Sequence, residues 1–209
     1  LAFYAAEGWK PVVAPELEFY LLQPNIDPRN DLLPPIGRTG RVERAGQSFN
    51  IDAVNDFEPM FDDMYRFCEG QGLEIDTLIH EEGMGQMEIN LLHGDPLELA
   101  DQAFLFKRTV REAALRHNLY ATFMAKPMEG QPGSAMHIHQ SIEDIDSGEN
   151  IFSTPQGTPN ELLLSHIAGL QRFMPEAMAL MSPYVNSYRR IVKEMSAPIN
   201  FHWGFANRT

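Results

Sequence analysis

The stretch PVVAPELEFYLL at residues 11–22 decides the fold, because its apolar and polar residues alternate as they do in a strand with one buried face. Successive side chains of a strand point to opposite faces of the sheet. Leu17 and Phe19 therefore share one face, and Glu16 and Glu18 share the other. We expect this strand to have one side on a hydrophobic core and the other on a wet, charged cavity.

The rest of the chain alternates helix-like and strand-like segments. Residues 23–46 contain four prolines and three glycines, which predict a long loop. Periodicity and capping residues predict helices at residues 55–70, 95–117 and 161–181, the last divided by Pro175, and strands at residues 73–80, 86–92, 119–126, 135–142 and 197–203. This order predicts an α+β fold with a curved, mainly antiparallel sheet packed by helices.

Composition and charge exclude several classes of protein. The chain has 16 Lys plus Arg against 29 Asp plus Glu, a formal net charge of −13, which argues against nucleic acid or an anionic membrane as a partner. No apolar run approaches the ~20 residues that span a bilayer. A lone cysteine, Cys68, excludes an internal disulfide framework and favours a reducing cytoplasm.

Four glutamates are candidates for metal binding. Glu16 and Glu18 lie two residues apart on one strand face, roughly 6 to 7 Å apart at the backbone, which suits two neighbouring cations. An exposed strand face is the alternative interpretation of this pair. Glu81 and Glu88 bracket the turn-forming segment EEGMGQME. Because Glu88 falls on the polar face of an otherwise apolar strand, that face must line either solvent or a site.

Imidazole and guanidinium groups add to this set. His137 and His139 form a His-x-His pair on one strand face, which suits either two metal ligands or one metal ligand and one hydrogen-bond donor to a phosphate. Gly133 precedes them in a loop whose backbone can approach a ligand closely. Carboxylates outnumber imidazoles, so the donors favour Mg²⁺ or Mn²⁺ over zinc. With Arg190 and Arg208 as ligands for carboxylate or phosphate, the set predicts phosphoryl transfer.

Six motifs occur in an order that identifies a family. They are PELEF at residues 15–19, EEGMGQME at 81–88, KPM at 126–128, GSAMHIHQS at 133–141, NSYRR at 186–190, and the segment from AP at 197–198 to NRT at 207–209. In this order they resemble the catalytic domain of the glutamine synthetase family. The resemblance implies that the curved sheet is part of a split barrel. It also implies a ligase that joins glutamate to ammonia through a γ-glutamyl phosphate, with ATP as co-substrate and two divalent ions, Mg²⁺ or Mn²⁺, per site.

The resemblance also implies a role for each matched residue. The ligands of the metal nearer glutamate would be Glu18, Glu81 and Glu88, and those of the second metal, which bridges the ATP phosphates, would be Glu16 and His137. Near the nucleotide would lie His139 and Ser141, and at the glutamate Gly133 and Arg190. The catalytic arginines would be Arg190, which binds the substrate carboxylate, and Arg208, which stabilises the transferred phosphate.

Two departures from the family pattern matter. In the run RIVKEMSAP, Ser196 stands where glutamine synthetases have a flap glutamate that helps to bind ammonium. The context resembles instead the γ-glutamylputrescine and γ-glutamyl-polyamine synthetase branch, which implies a primary amine or polyamine as nucleophile, with ammonia as the alternative. The family's N-terminal β-grasp domain and its distal arginine and metal-ligand positions are missing. We therefore expect residues 1–209 to be a partial catalytic domain that is inactive alone.

Two further classes of protein fit the sequence less well. A non-catalytic relative would have no need for so many uncompensated carboxylates. A metal-dependent β-barrel oxygenase built on the His-x-His pair would need a further histidine and fewer carboxylates. The family resemblance implies rings of subunits, commonly dodecamers, so we expect a homo-oligomer.

Overall fold

The computed structural model describes residues 1–193 and 197–205. Its helices are α1 (Ala2–Ala6), α2 (Ile51–Asn55), α3 (Glu58–Glu69), α4 (Pro96–Arg116), α5 (Glu161–Met181) and α6 (Val185–Tyr188). Its strands are β1 (Trp9–Leu22), β2 (Ile75–His80), β3 (Gln86–Leu91), β4 (Tyr120–Thr122) and β5 (Met136–Asp144). These elements confirm the predicted α+β class.

One antiparallel sheet is built around the long strand β1. Residues 16–20 of β1 pair with β3, which in turn pairs with β2. The opposite edge of β1 pairs with β5 along residues 9–17 and then with β4 along residues 20–22. Within the described part of the chain the sheet is not closed into a barrel. β1 is therefore the central strand of the sheet, because β3, β4 and β5 all pair with it.

The hydrophobic core lies on one face of this sheet, under helices α3 and α4. Leu17 and Phe19 of β1 are fully buried beside Met87 and Ile89 of β3. The other residues of β1 and β3 at this level, including Glu18, point to the opposite face. The predicted division of the strand into an apolar and a charged face is confirmed.

Helix α4 begins where its capping residues predict. Asp95 is the N-cap, and its Oδ1 accepts hydrogen bonds from the backbone N–H groups of Leu97 and Glu98 at 2.8 and 3.2 Å. Pro96 occupies the first helical position, where a missing N–H costs nothing. The helix then buries seven side chains against the sheet and α3.

Some predicted boundaries differ from the structure. The helix predicted at residues 55–70 corresponds to α3, and the short helix α2 that precedes it was not predicted. The strand predicted at residues 119–126 is only three residues long. Pro175 lies inside the continuous helix α5 instead of dividing it. The strand predicted at residues 197–203 is wrong. The carbonyl of Phe201 accepts a hydrogen bond from the Gln171 side chain and not from a neighbouring strand.

Helix α5 differs from the other long helices because none of its 21 residues is buried by the described part of the chain. Phe173 and Leu180 are 59% and 80% exposed. A search of the helices at residues 1–193 and 197–205 finds none with the length and apolar character needed to cross a bilayer.

Candidate active site

Three neighbouring strands bring predicted metal ligands to one face of the sheet. Glu18 of β1 lies opposite Glu88 of β3, and Glu16 lies opposite His137 of β5. Directly opposed residues of an antiparallel pair have their side chains on the same face. These four side chains therefore share the face that is turned away from the hydrophobic core.

Two histidines of β5 contact the glutamates of β1. The distance from His137 Nε2 to Glu18 Oε1 is 3.2 Å, and that from His139 Nε2 to Glu16 Oε1 is 2.7 Å. Because a carboxylate oxygen accepts, each imidazole donates through Nε2. The hydrogen bond to Glu18 is the main cause that raises the pKa of His137.

Glu88 is a nearly buried carboxylate among other carboxylates, with 7% of its surface exposed. Burial, assisted by the negative charges of Glu16, Glu81 and Glu18, raises the pKa of Glu88 to about 7. Nearby negative charges and burial both disfavour the ionised form of Glu88. A bound cation would remove that penalty.

A pocket of about 550 Å³ opens on this face. Its wall includes four of the predicted metal ligands, Glu18, Glu81, Glu88 and His137, and both predicted glutamate-binding residues, Gly133 and Arg190. Ser48 and Phe49, which follow the long loop, line the same pocket together with Glu82. Glu16, His139 and Ser141 lie outside its wall. The structure thus unites six of the predicted site residues.

The predicted metal ligands line one face of the sheet but do not converge on a single point. Among residues 1–193 and 197–205, no three His, Cys, Asp or Glu side chains lie close enough together to hold a metal ion as placed. The chemistry of the donors nevertheless fits a hard divalent cation, because carboxylate oxygens predominate in the pocket. Arg208 and Ser196 lie outside the described residues.

Gly133 and Arg190 are in contact at one wall of the pocket. A Cβ atom added to Gly133 would lie 2.7 Å from the carbonyl oxygen of Ala125 and 2.7 Å from Cγ of Arg190. Only glycine allows the two backbone segments and the arginine to approach this closely. Burial lowers the pKa of Arg190, and the charge of Glu18 opposes that shift. The pocket therefore combines a cation with several carboxylates.

Sequence reasoning missed the buried polar residues that hold the pocket together. Gln86 is 1% exposed, and its side-chain oxygen and nitrogen are both hydrogen-bonded. Glu43, from the long loop, accepts a hydrogen bond from the N–H of Gly85 at 2.9 Å and lies 3.0 Å from Nε2 of the buried His80. The available signal was a glutamine at the start of a strand whose other residues are mostly apolar.

Comparison with known proteins gives the same family. The profile of the glutamine synthetase catalytic domain matches residues 1–209. The γ-glutamylputrescine synthetase PuuA of Escherichia coli is 43% identical over 97% of the chain. A glutamine synthetase of Pyrococcus woesei is 34% identical over 97% of the chain, and a glutamate–isopropylamine ligase of a Pseudomonas species is 32% identical over the same share. The chain spans only 43 to 44% of the length of these relatives.

Solved structures agree with this assignment. A ligand-free structure of GmaS superimposes with a TM-score of 0.75 at 28% sequence identity, and covers 91% of this chain and 44% of that protein. A complex of GmaS with ADP superimposes with a TM-score of 0.74 at the same identity, over 95% of this chain and 44% of that protein. Sequence profile, relatives and fold together show that the chain belongs to the glutamine synthetase catalytic-domain family.

Proposed function

We propose that this chain forms the metal- and glutamate-binding part of an ATP-dependent ligase, which joins the γ-carboxylate of glutamate to an amine through a γ-glutamyl phosphate. The observation that carries the proposal is one pocket whose wall contains Glu18, Glu81, Glu88 and His137 together with Gly133 and Arg190. Such a pocket can hold divalent cations beside a carboxylate substrate. Membership of the family supports the same chemistry.

Two divalent ions would be held by different parts of the donor set. Glu18, Glu81 and Glu88 would hold the ion nearer glutamate, and Glu16 with His137 would contribute to the second. When bound, Mg²⁺ or Mn²⁺ would supply charge neutralisation for the phosphates of ATP. The mutual repulsion that raises the pKa of Glu88 supports this assignment, because a cation offsets it.

The reaction would proceed in two displacements. An oxygen of the glutamate γ-carboxylate attacks the γ-phosphorus of ATP, the bond from that phosphorus to the bridging oxygen breaks, and ADP leaves. The nitrogen of a neutral amine then attacks the γ-carbonyl carbon, the bond to the phosphate oxygen breaks, and the nitrogen loses one proton. The acyl phosphate must be shielded from water between the two steps.

The chain's own residues would position these reactants. Arg190 would hold a carboxylate of glutamate through its guanidinium group, and Gly133 would present its backbone to the same substrate. His139 and Ser141 would contact the nucleotide, and Arg208 would neutralise charge on the transferred phosphate. The positions of His139 and Ser141 on β5, beyond the pocket wall, support a nucleotide site that adjoins the metal pocket.

The nucleophile is best assigned as a primary amine or polyamine. Ser196 replaces a glutamate that would bind ammonium, and the relatives named above include a γ-glutamylputrescine synthetase and a glutamate–isopropylamine ligase. Ammonia is the second candidate, because glutamine synthetases match at 34 to 36% identity. We further propose that these residues are part of a longer catalytic domain that works as a cytoplasmic homo-oligomer.

The substrate assignment is tested by measuring glutamate-dependent ADP release by the complete polypeptide that contains these residues. Putrescine, spermidine, isopropylamine and ammonia would be compared at saturating ATP and Mg²⁺. We expect kcat/KM to be highest for one of the amines. A kcat/KM for ammonia above that of every amine would contradict the amine assignment and leave a glutamine synthetase.

The metal assignment is tested with a matched pair of variants. Glu18→Gln removes one charge inside the pocket, and Glu112→Gln removes one charge from the exposed surface of α4. We expect Glu18→Gln to weaken Mn²⁺ binding and to abolish ADP release, because the ligand set loses a carboxylate. Glu112→Gln should behave as the unmodified protein. Equal Mn²⁺ affinity in both variants would exclude Glu18 as a ligand.

A further inference from the structure

Gln86 is an almost fully buried amide in the wall of the pocket. It is the first residue of β3 and is 1% exposed, although the next residue along the strand belongs to the hydrophobic core. A buried side-chain amide is costly unless its hydrogen-bonding groups are satisfied. The partners of Gln86 therefore indicate why a polar residue occupies this position.

Two backbone groups determine the orientation of the amide. Oε1 lies 2.9 Å from the N–H of Gly83, which can only donate, and Nε2 lies 3.1 Å from the carbonyl oxygen of Gly133, which can only accept. Exchanging the oxygen and nitrogen would place two donors together and two acceptors together. Gln86 thereby connects the hairpin that carries Glu81 to the loop that carries Gly133.

The second hydrogen of the Gln86 amide points at Glu18. Nε2 of Gln86 lies 3.2 Å from Glu18 Oε2, and the same oxygen accepts from the backbone N–H of Ala135 at 2.9 Å. The other oxygen, Oε1, has His137 as its neighbour at 3.2 Å. Two fixed donors therefore occupy Oε2 and leave Oε1 turned toward the imidazole.

We propose that Gln86 is a positioning residue that makes Glu18 a one-oxygen metal ligand and fixes the Gly133 carbonyl in register with it. The inference rests on the proposed function, because it assigns Glu18 to a metal and Gly133 to glutamate. Gln86 acts through Glu18 and Gly133, the two residues that its amide nitrogen contacts. The side-chain amide of Gln86 thus couples the position of Glu18 in the metal site to that of Gly133 in the glutamate site.

Tyr20 provides a natural comparison within the same cluster. Its hydroxyl donates to the carbonyl oxygen of Pro132 at 2.7 Å, next to Gly133, and lies 3.3 Å from Gln86 Oε1. No hydrogen bond between Tyr20 and Glu18 is found in the described part of the chain. Tyr20→Phe should therefore disturb the glutamate loop alone, whereas Gln86→Met should disturb both the loop and Glu18.

The test is a titration of the complete polypeptide with Mn²⁺ alone, in which electron paramagnetic resonance reports the free ion. We expect Gln86→Met to weaken Mn²⁺ binding about 10- to 100-fold, the usual effect of removing a hydrogen-bond partner of a metal ligand. Tyr20→Phe should keep the unmodified Mn²⁺ affinity and raise only the KM for glutamate. Gln71→Met is the control for loss of a side-chain amide. It removes an amide outside the pocket that donates hydrogen bonds to the Phe67 carbonyl and the Thr109 hydroxyl.

A double-mutant cycle separates a positioning role from general destabilisation. If Gln86 acts through Glu18, then Gln86→Met should change Mn²⁺ affinity much less in a Glu18→Gln background. Unchanged Mn²⁺ affinity in Gln86→Met, or equal losses in both backgrounds, would overturn the inference. Should Gln86→Met fail to fold by circular dichroism, Gln86→Asn replaces it under the same criteria, because its shorter amide cannot reach Glu18 and Gly133 together. Failure of the unmodified protein to bind Mn²⁺ would instead overturn the proposed function, and this inference with it.

Discussion

At the scale of single residues, the pocket depends on close approaches that allow no extra atoms. We expect Gly133→Ala to raise the KM for glutamate at least about tenfold, because the new methyl group must displace either the Ala125 backbone or the stem of Arg190. Steady-state kinetics of the complete polypeptide measure this change. The matched control is Gly169→Ala in α5, where an added Cβ meets no atom within 4 Å.

Cys68 is expected to be chemically inert in the folded protein. Its side chain is 1% exposed, and burial raises the pKa of the thiol from 9.0 to about 11. At pH 8 only on the order of a thousandth of the thiol is then ionised, which follows from a three-unit gap between pH and pKa. Labelling by a disulfide reagent should be slow in the native protein and fast in denaturant. Rapid native labelling would show that the thiol is accessible.

The same raised pKa of Cys68 gives a pH dependence of stability with a definite sign. The unfolded thiol loses its proton near pH 9, whereas the folded thiol keeps it up to about pH 11. The contribution of this group to the free energy of unfolding is therefore intact below pH 9 and is lost as the pH rises through 11. Urea titrations of the original protein and of Cys68→Ala isolate this contribution, because the slope against pH should differ only in that window.

Sequence patterns predicted the facing of residues whose environment depends on their neighbours along the chain, and missed residues whose partners lie far away in the sequence. Alternation along one strand was enough to separate Glu16 and Glu18 from Leu17 and Phe19. The partners of Gln86 come from a different loop and a different strand, so no local pattern could reveal them. The metal and substrate roles of the pocket residues stay predictions.

At the scale of elements, helix α4 depends on its first turn. We expect Asp95→Ala to lower the free energy of unfolding by about 0.5–2 kcal/mol, because two backbone N–H groups lose their acceptor. Urea unfolding measures the difference. Asp101→Ala, an exposed position on the same helix, removes an equal charge without removing a cap and should cost less. If both variants lower the free energy of unfolding equally, the effect is due to the lost charge and not to the lost cap.

A helix could be predicted from its own sequence and capping residues, whereas a strand was harder to predict because it also needs a neighbouring strand. The capping residues of α4 lie next to the helix, so its start was predicted correctly. A strand forms only against another strand, and residues 197–203 have an apolar, strand-like sequence that finds a side-chain partner instead. Similarly, β4 is limited to Tyr120–Thr122, because only residues 20–22 of β1 face it.

At the scale of the whole molecule, helix α5 shows that residues 1–193 and 197–205 leave part of their apolar surface exposed. Phe173 and Leu180 are mainly exposed, and the curated relatives are more than twice as long as this chain. We expect residues 1–209 alone to lack ligase activity and to bind a hydrophobic dye more strongly per residue than the complete polypeptide does. Glutamate-dependent ADP release and dye fluorescence test this. Measurable turnover by the isolated 209 residues would refute it.

Strand β1 also limits how this family can change its length in evolution. It is paired on both edges, and its side chains alternate between core and pocket. Deleting one residue before Glu16 would bring carboxylates into the core and Leu17 into the pocket, since a shift by one residue reverses every side chain. An odd insertion or deletion in β1 should disrupt both the hydrophobic core and the arrangement of the candidate metal ligands. We therefore expect length variation among natural relatives to fall in the loop at residues 23–46 and to be excluded from this strand.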